Sequence, residues 1–159
     1  MSIGYACINM ELSYPQKYGG KERGVKPITT NRTMIRRTFD EKGVDYVSEL
    51  TLQNTKDLNE IISWNVLNGY NFFRLSSGLA PWKTEYEWDD LKDMDEIRQW
   101  FHSAGTMAKT HNVRLTSHPG PFNVLVSPHD HVVDNCIKDL TIHGDEFDMM
   151  GLSRTPYNK

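Results

Sequence analysis

The chain has 159 residues, of which 38% are hydrophobic and 25% charged, with a mean hydropathy of -0.60 and a net charge of -3. These values are typical of one globular domain and exclude a disordered or membrane-embedded chain. No apolar run approaches the roughly 20 residues that cross a bilayer, and the N-terminus lacks a leader pattern. We therefore expect a cytoplasmic or similar interior location and no membrane partner.

The first predicted element is a short buried strand at residues 3–9 (IGYACIN), which is apolar and rich in β-compatible residues. A long polar loop follows, too rich in proline and glycine for a regular element. Residues 17–42 carry eight basic and three acidic side chains, a local balance of +5. Such a segment can bind a polyanion, although a charge run more often forms a solvated face.

A helical region is predicted within residues 32–50, and a second helix, capped by Asn54, runs to residue 68 before Gly69. The apolar stripe of the second helix is Leu58, Ile61, Ile62 and Val66. Residues 70–75 (YNFFRL) then read as an aromatic-rich strand that ends in a polar loop beginning Ser76 and Ser77.

The second half of the chain repeats this alternation. After an acidic stretch, one helix face is formed by apolar residues at spacings of 3, 4, 3 and 4: Met94, Ile97, Phe101, Ala104 and Ala108. Residues 113–118 (VRLTSH) form a third strand, and Ser127 with Pro128 predicts the start of a last helix that ends at Gly151. Its buried side is expected to hold Val133, Cys136, Ile137, Leu140 and Phe147.

The order of elements predicts an α/β fold. Strands and helices alternate without a hairpin signal, and this favours parallel strands joined by right-handed crossovers. In such folds the functional loops gather at the carboxyl ends of the strands.

Polar side chains follow all three predicted strands, and His118 is the most informative of them. It ends a strand and is fixed by a turn at Pro119 and Gly120, which gives the imidazole a rigid base and an open face, as a metal ligand or general base needs. The alternative is a histidine bonded to a neighbouring backbone carbonyl. The aromatic residues Tyr5 and Phe122 lie beside the same loops and suit either core packing or stacking on nucleic acid bases.

Other motifs add little. His129 and His131 fall in the first turn of a helix, where residues two apart do not face each other. Cys7 and Cys136 lie far apart without a C-x-x-C spacing, so we expect two packing thiols. No phosphate-binding loop, dinucleotide fingerprint or hydrolase motif occurs.

Four segments resemble the UV-damage endonuclease family, in register across nearly the whole chain: GYACIN (4–9), NTKDLNEIISWNVLNGYNFFRLSSGLAPW (54–82), RLTSHPGPFNVLVSP (114–128) and residues 132–152. The resemblance implies a TIM barrel that hydrolyses the phosphodiester bond on the 5′ side of UV photoproducts with a cluster of divalent metal ions, usually manganese. Such a cluster would polarise the phosphate and generate the attacking hydroxide.

The resemblance also implies roles for individual residues. His118, in the family's H-P-G segment, would be a catalytic metal ligand, and Tyr5 and Asn9 would line the groove and touch DNA near the scissile bond. Pro121 and Phe122 stand where the family inserts a probing pair into the duplex, most often glutamine followed by an aromatic residue. Phe122 keeps the aromatic side chain that would wedge between bases, whereas Pro121 lacks the side-chain amide of glutamine. The basic loop would then contact phosphates.

A complete TIM barrel needs eight βα units and about 250 residues. This chain supplies about three units, so the expected fold is a truncated TIM-barrel type in which residues 1–159 form the N-terminal part. The family's remaining metal ligands are absent, and one histidine cannot hold a metal cluster, so we expect no nuclease activity from this chain alone. Two open sheet edges favour a complementary C-terminal half-barrel as a partner, beside UV-damaged double-stranded DNA.

Two other functions remain open at this point. One is a metal-dependent sugar isomerase of similar barrel shape, which also carries strand-end histidines but predicts no affinity for irradiated DNA. The other is a non-catalytic fragment that binds DNA or a complementary half-barrel through its open edge. Nicking of irradiated DNA after mixing with a C-terminal half would separate the nuclease from this fragment.

Overall fold

The computed structural model describes residues 2–121 and 123–158. Three parallel strands, β1 (Gly4–Ala6), β2 (Phe72–Leu75) and β3 (Arg114–Ser117), form a sheet in the order β1-β2-β3. The helices are α1 (Met10–Ser13), α2 (Arg36–Leu67), α3 (Met94–Thr110) and α4 (Asp130–Met149). Short 3-10 turns occupy Lys83–Glu85, Trp88–Asp90 and Pro156–Asn158. The predicted α/β class with parallel strands is therefore confirmed.

The two faces of the sheet differ because side chains alternate along each strand. Tyr5, Phe73 and Leu115 are in register, and Phe73 and Leu115 are completely buried in the core formed with α2 and α3. The other face carries Arg74 and, in register beside it, Ala6 on β1. Both residues are exposed, so this part of that face is open.

The first strand is shorter and less buried than the sequence predicts. It covers Gly4–Ala6 rather than residues 3–9, and Gly4 and Ala6 are exposed because β1 pairs on only one side, with β2. The helix α1 then begins at Met10, where the sequence predicts a loop.

The helix α2 joins two predicted helices into one element. Its backbone leaves the helical conformation only at Gly43, where φ is 66°, a value that glycine adopts without steric cost. Asn54 does not cap a helix, so this prediction is wrong. Its side chain is buried within α2, accepts the N–H of Arg32 at 3.1 Å and donates to the carbonyl of Leu79 at 3.1 Å. These remote backbone partners keep a polar residue inside the helix.

The predicted apolar face of α3 is confirmed, since all five of its residues are buried. The helix α4 begins at Asp130 rather than at Ser127, and Ile137 is 53% exposed, contrary to the prediction. Its buried residues are Cys136, His143 and Glu146. Of the five predicted residues only Ile137 is exposed: Cys136 is buried, Phe147 packs against the core, and Val133 and Leu140 are half-buried. The helix packs chiefly against α3 and leaves Ile137 uncovered.

Two smaller predictions concern the cysteines and the membrane. Cys7 is half-buried and Cys136 is buried, and no disulfide bond joins the two. No helix in the described part of the chain combines the length and the apolar character that crossing a membrane requires.

Candidate functional site

The carboxyl ends of the three strands meet at one edge of the sheet. Beyond the strands themselves, the N–H of Cys7 donates to the carbonyl of Arg74 at 2.8 Å, and the N–H of His118 donates to the carbonyl of Leu75 at 2.9 Å. The segments that leave β1 and β3 are thus both held against the end of β2. The structure brings together the strand ends that the sequence singled out.

His118 is fixed through its backbone and open at its side chain. The hydrogen bond to Leu75 holds its main chain, and the residue is exposed. Among the residues that the structure describes, its imidazole has no hydrogen bond or ion pair. Within this part of the chain the ring is therefore available to a ligand, and the alternative of a carbonyl partner is not observed.

Tyr5 and Asn9 are engaged inside the fold. The hydroxyl of Tyr5 donates to Oδ1 of Asn65 at 2.6 Å and accepts Nδ2 of Asn9 at 2.7 Å. Oδ1 of Asn9 accepts the N–H of Leu12 at 3.0 Å and so caps α1. Burial raises the pKa of Tyr5 to about 12, even though its two hydrogen bonds oppose the shift. These two residues fix the start of the first loop, and their contact with DNA stays a prediction.

The loop after His118 is held onto α4 by two side chains. Nδ2 of Asn123 donates to Oδ2 of Asp139 at 2.6 Å and to the carbonyl of Gly120 at 3.2 Å. The N–H of Val124 donates to Sγ of Cys136 at 2.9 Å. The first member of the predicted probing pair, Pro121, is exposed, and the second, Phe122, lies outside the described residues.

The basic segment divides into two parts. Its later arginines form ion pairs within the chain, as Arg32 does with Asp57 at 2.6 Å and Arg37 with Glu41 at 2.8 Å. The earlier cations are exposed and form no ion pair with any described residue. They are Lys17, Lys21, Arg23 and Lys26. We call these four the loop cations.

Two exposed tyrosines accompany the loop cations. The rings of Tyr14 and Tyr18 meet edge to face, with 6.2 Å between their centroids. Nζ of Lys17 lies 4.9 Å from the centroid of the Tyr18 ring. Exposed aromatic rings beside unpaired cations suit contacts with nucleic acid, where phosphates attract the charges and bases stack on the rings.

Three further polar residues lie at the carboxyl end of β2: Arg74 within the strand, and Ser76 and Ser77 after it. Ser76 is buried, and its Oγ accepts the N–H of Gly78 at 3.3 Å, so it shapes the turn. Ser77 is exposed. Sequence reasoning passed over Arg74, which stands at the end of β2 on the open face of the sheet. A charged residue within an otherwise apolar strand was the available signal.

The donors in the described residues do not fit a metal cluster. No group of three or more histidine, cysteine, aspartate or glutamate side chains in residues 2–121 and 123–158 could hold an ion. Contrary to the sequence-based expectation, the exposed rings of His129 and His131 stack with 5.8 Å between their centroids, because His129 is the extended N-cap residue and not part of the first helical turn. His118 supplies one donor, and we assign no metal-dependent step to the described residues by themselves.

Parallel strands joined by helices, with an exposed histidine at the carboxyl edge, define an α/β domain, a class of fold in which ligands generally bind at the strand ends. The family model for UV-endonuclease UvdE matches residues 1–159, and the chain belongs to this family. It is 32% identical over 151 residues to the UV-damage endonuclease of Schizosaccharomyces pombe, covering 95% of this chain and 23% of that protein. It is 30% identical over 151 residues to the UV DNA damage endonuclease of Clostridium perfringens, covering 94% and 32%.

A solved structure agrees with the family assignment. The crystal structure of SacUVDE superposes with a TM-score of 0.73 at 26% sequence identity, covering 96% of this chain and 46% of that chain. The chain therefore spans less than half the length of each of these three relatives.

Proposed function

We propose that the chain forms the DNA-binding N-terminal part of a UV-damage endonuclease, in which the complete enzyme cleaves the phosphodiester bond on the 5′ side of a UV photoproduct. One observation carries the proposal: in a member of the UvdE family, the His118 imidazole is exposed and unpaired among the described residues, at the edge where the strand ends meet. The fold that suits this role is a TIM-barrel type truncated to about three βα units, residues 1–159.

In this proposal His118 is one ligand of a divalent metal ion. The family resemblance favours Mn²⁺ as that ion. No three possible ligands cluster among the described residues, so in this proposal the remaining donors come from elsewhere. A metal ion held at this edge with a coordination position open to the phosphate would act on it as a Lewis acid. The chain alone is therefore expected to bind damaged DNA without cutting it.

The loops around His118 supply the DNA contacts. Tyr5 and Asn9 set the first loop, and the loop that follows His118 presents Pro121 and Phe122 to the duplex as its probe. Because Pro121 has no side-chain amide, the probe separates bases by its shape and offers them no side-chain hydrogen bond from that position. The loop cations contact backbone phosphates farther along the duplex.

The open edges of the sheet suit a complementary C-terminal half-barrel. Among the described residues, β1 and β3 each pair with β2 alone, so each has an outer edge with no strand beside it. Membership of the UvdE family favours DNA over a sugar as the substrate and so argues against an isomerase. The interior location predicted from the sequence agrees with a DNA substrate.

The test is the affinity of the chain for a short duplex that carries one UV photoproduct, measured by fluorescence anisotropy against the same duplex without the lesion. We expect tighter binding to the damaged duplex and no nicking in the presence of Mn²⁺. Equal affinity for both duplexes would overturn the assignment to damage recognition. Nicking by the chain alone would contradict the proposed dependence on further metal ligands.

A second experiment addresses His118 in the nuclease itself. Mixing the chain with a C-terminal half from a relative should restore nicking of the irradiated duplex, and His118→Ala should abolish that nicking and reduce the bound Mn²⁺. The matched control is His111→Ala, since His111 is exposed at the C-terminal end of α3, next to the amino end of β3 rather than its carboxyl end. Unchanged nicking and metal content in His118→Ala would remove His118 from the site.

A further inference from the structure

Arg74 places a positive charge at the edge where the strands end. It lies near the carboxyl end of β2, in register with Ala6 on β1 and Thr116 on β3. Its neighbours Phe73 and Leu75 point into the core, so its own side chain projects from the opposite, open face. Ala6 is small and exposed and leaves the approach to Arg74 free.

The guanidinium of Arg74 is anchored next to His118. Its Nε donates to the carbonyl of Ser117 at 3.0 Å, one residue before His118. The same arginine holds Cys7 through its backbone carbonyl at 2.8 Å. Arg74 therefore contacts the segments that leave both neighbouring strands, and its guanidinium is held at the residue that precedes His118.

The terminal nitrogens of this guanidinium are available. No carboxylate among the described residues forms an ion pair with Arg74. An arginine has five N–H donors, and the bond to Ser117 uses only the one on Nε. A planar pair of terminal N–H groups matches two oxygens of a phosphate, which is why arginine is favoured for binding phosphodiesters.

The acidic groups nearby are already engaged. A cavity of about 740 Å³ borders Arg74 and also Asp145 and Asp148 of α4. Oδ2 of Asp145 accepts Nε1 of Trp88 at 3.0 Å, and Asp148 forms an ion pair with Arg154. These partners reduce the repulsion that an entering anion would meet, and Arg74 adds a positive charge without an ion pair to a described residue at this rim of the cavity.

We propose that Arg74 is a phosphate-binding residue that grips a backbone phosphodiester of the DNA next to His118. This inference rests on the proposed function, because it names the substrate group that the same site holds. The bond to Ser117 orients the guanidinium in advance, so that less side-chain freedom is lost when the phosphate binds. The role differs from that of the loop cations, which lie on the separate segment after β1.

The first test compares Arg74→Met with Arg74→Lys in duplex binding over a range of salt concentrations. We expect Arg74→Met to weaken binding about tenfold at low salt, because a charge-assisted contact is lost. It should also reduce the slope of log affinity against log salt by about 0.9, the value for one phosphate contact. Arg74→Lys keeps the charge and should keep the slope, while binding less tightly for want of the bidentate geometry.

The matched control is Arg98→Met. Arg98 is also an exposed arginine, but it lies on α3 and pairs with Asp89 at 2.8 Å, so its loss should change neither affinity nor slope. A purely structural role for Arg74 would lower the melting temperature of Arg74→Met and leave its salt slope at the wild-type value. That outcome would overturn the inference while leaving damage recognition intact.

A second measurement tests phosphate binding at Arg74 without DNA. Inorganic phosphate is titrated into the ¹⁵N-labelled chain while the arginine Nε–H signals are followed by NMR, with Arg74→Lys used to assign the Arg74 signal. We expect this signal to shift with saturation, and that of Arg98 to stay in place. If the chain binds no duplex but the Arg74 signal shifts to saturation with phosphate, the proposed function fails and the phosphate site stands. If the Arg74 signal does not move, the phosphate site is overturned.

Discussion

His143 and Glu146 lie one turn apart on α4 with Nδ1 of the imidazole 3.3 Å from Oε2 of the carboxyl group, and both side chains are buried. Burial raises the pKa of Glu146, with His143 opposing the shift. For His143 burial favours the neutral ring, but the hydrogen bond and the charges of Glu146 and Asp139 outweigh it and raise the pKa. Each group therefore holds its proton to higher pH than the same group does with its ordinary pKa.

The first prediction is that the chain loses stability as the pH rises. Because both pKa values are raised on folding, the folded state binds protons more tightly, and the stabilisation is complete only below the ordinary pKa of each group. The loss begins above the ordinary value of 4.5 for Glu146 and continues beyond 6.5 for His143. Urea unfolding from about pH 5 to about pH 8 should show a falling free energy of unfolding.

The variant Glu146→Gln should flatten this dependence, because it removes the buried acid and leaves a neutral partner for His143. His102→Gln is the control, since His102 is exposed on α3. A free energy of unfolding that rises with pH in the wild-type chain, or an unchanged slope in Glu146→Gln, would show that this pair does not govern the pH response.

The second prediction concerns Asn54, which joins α2 to two loops. Asn54→Ala should cost about 2 to 4 kcal/mol, because the N–H of Arg32 and two carbonyl groups lose the buried Asn54 amide as their partner. The measurement is the midpoint of chemical unfolding. Asn68→Ala is the control, since Asn68 is exposed and bonds only to its own helix end at Trp64. A small effect at Asn54 would mean that water replaces the amide.

The third prediction compares two glycines that lie in neighbouring helices. A Cβ on Gly105 of α3 would lie 1.9 Å from the carbonyl oxygen of Met150, so Gly105→Ala must push the end of α4 away and should cost about 3 kcal/mol or more. A Cβ on Gly144 of α4 would meet nothing within 4 Å, and Gly144→Ala should stabilise by about 0.5 to 1 kcal/mol. Thermal unfolding of both variants tests the pair, and shifts of the same sign would contradict the packing of α3 on α4.

The fourth prediction concerns the loop after His118. Asp139→Ala removes the partner of Asn123, so the loop should open more often and its amides, including that of Val124, should exchange about tenfold faster. Hydrogen exchange followed by mass spectrometry measures this change. Asp134→Ala is the control, because Asp134 is exposed on the same helix. Under the proposed function Asp139→Ala should also weaken binding to the damaged duplex, whereas equal exchange in both variants would remove the anchoring role.

Local patterns predicted the elements that depend on them. The spacing of apolar residues from Met94 to Ala108 predicted the buried face of α3, and the glycine at 69 marked the end of α2. The same reasoning failed for Asn54 and Ile137. Asn54 was misread as a cap because its partners, Arg32 and Leu79, are more than twenty residues away along the chain. Ile137 fits the apolar stripe of α4, but no described element covers it.

The sequence by itself determined the alternation of strands and helices, the strand-end position of His118 and the resemblance to the UvdE family, because periodicity and motifs depend on residues that are near each other in the chain. Only the tertiary structure decided which polar groups are already occupied. It paired Tyr5 with Asn65 and the later arginines with carboxylates, and it left Arg74 on an open face. Hydrogen bonds and ion pairs of this kind join residues that are distant in sequence, and they exist only once the strands and helices have packed.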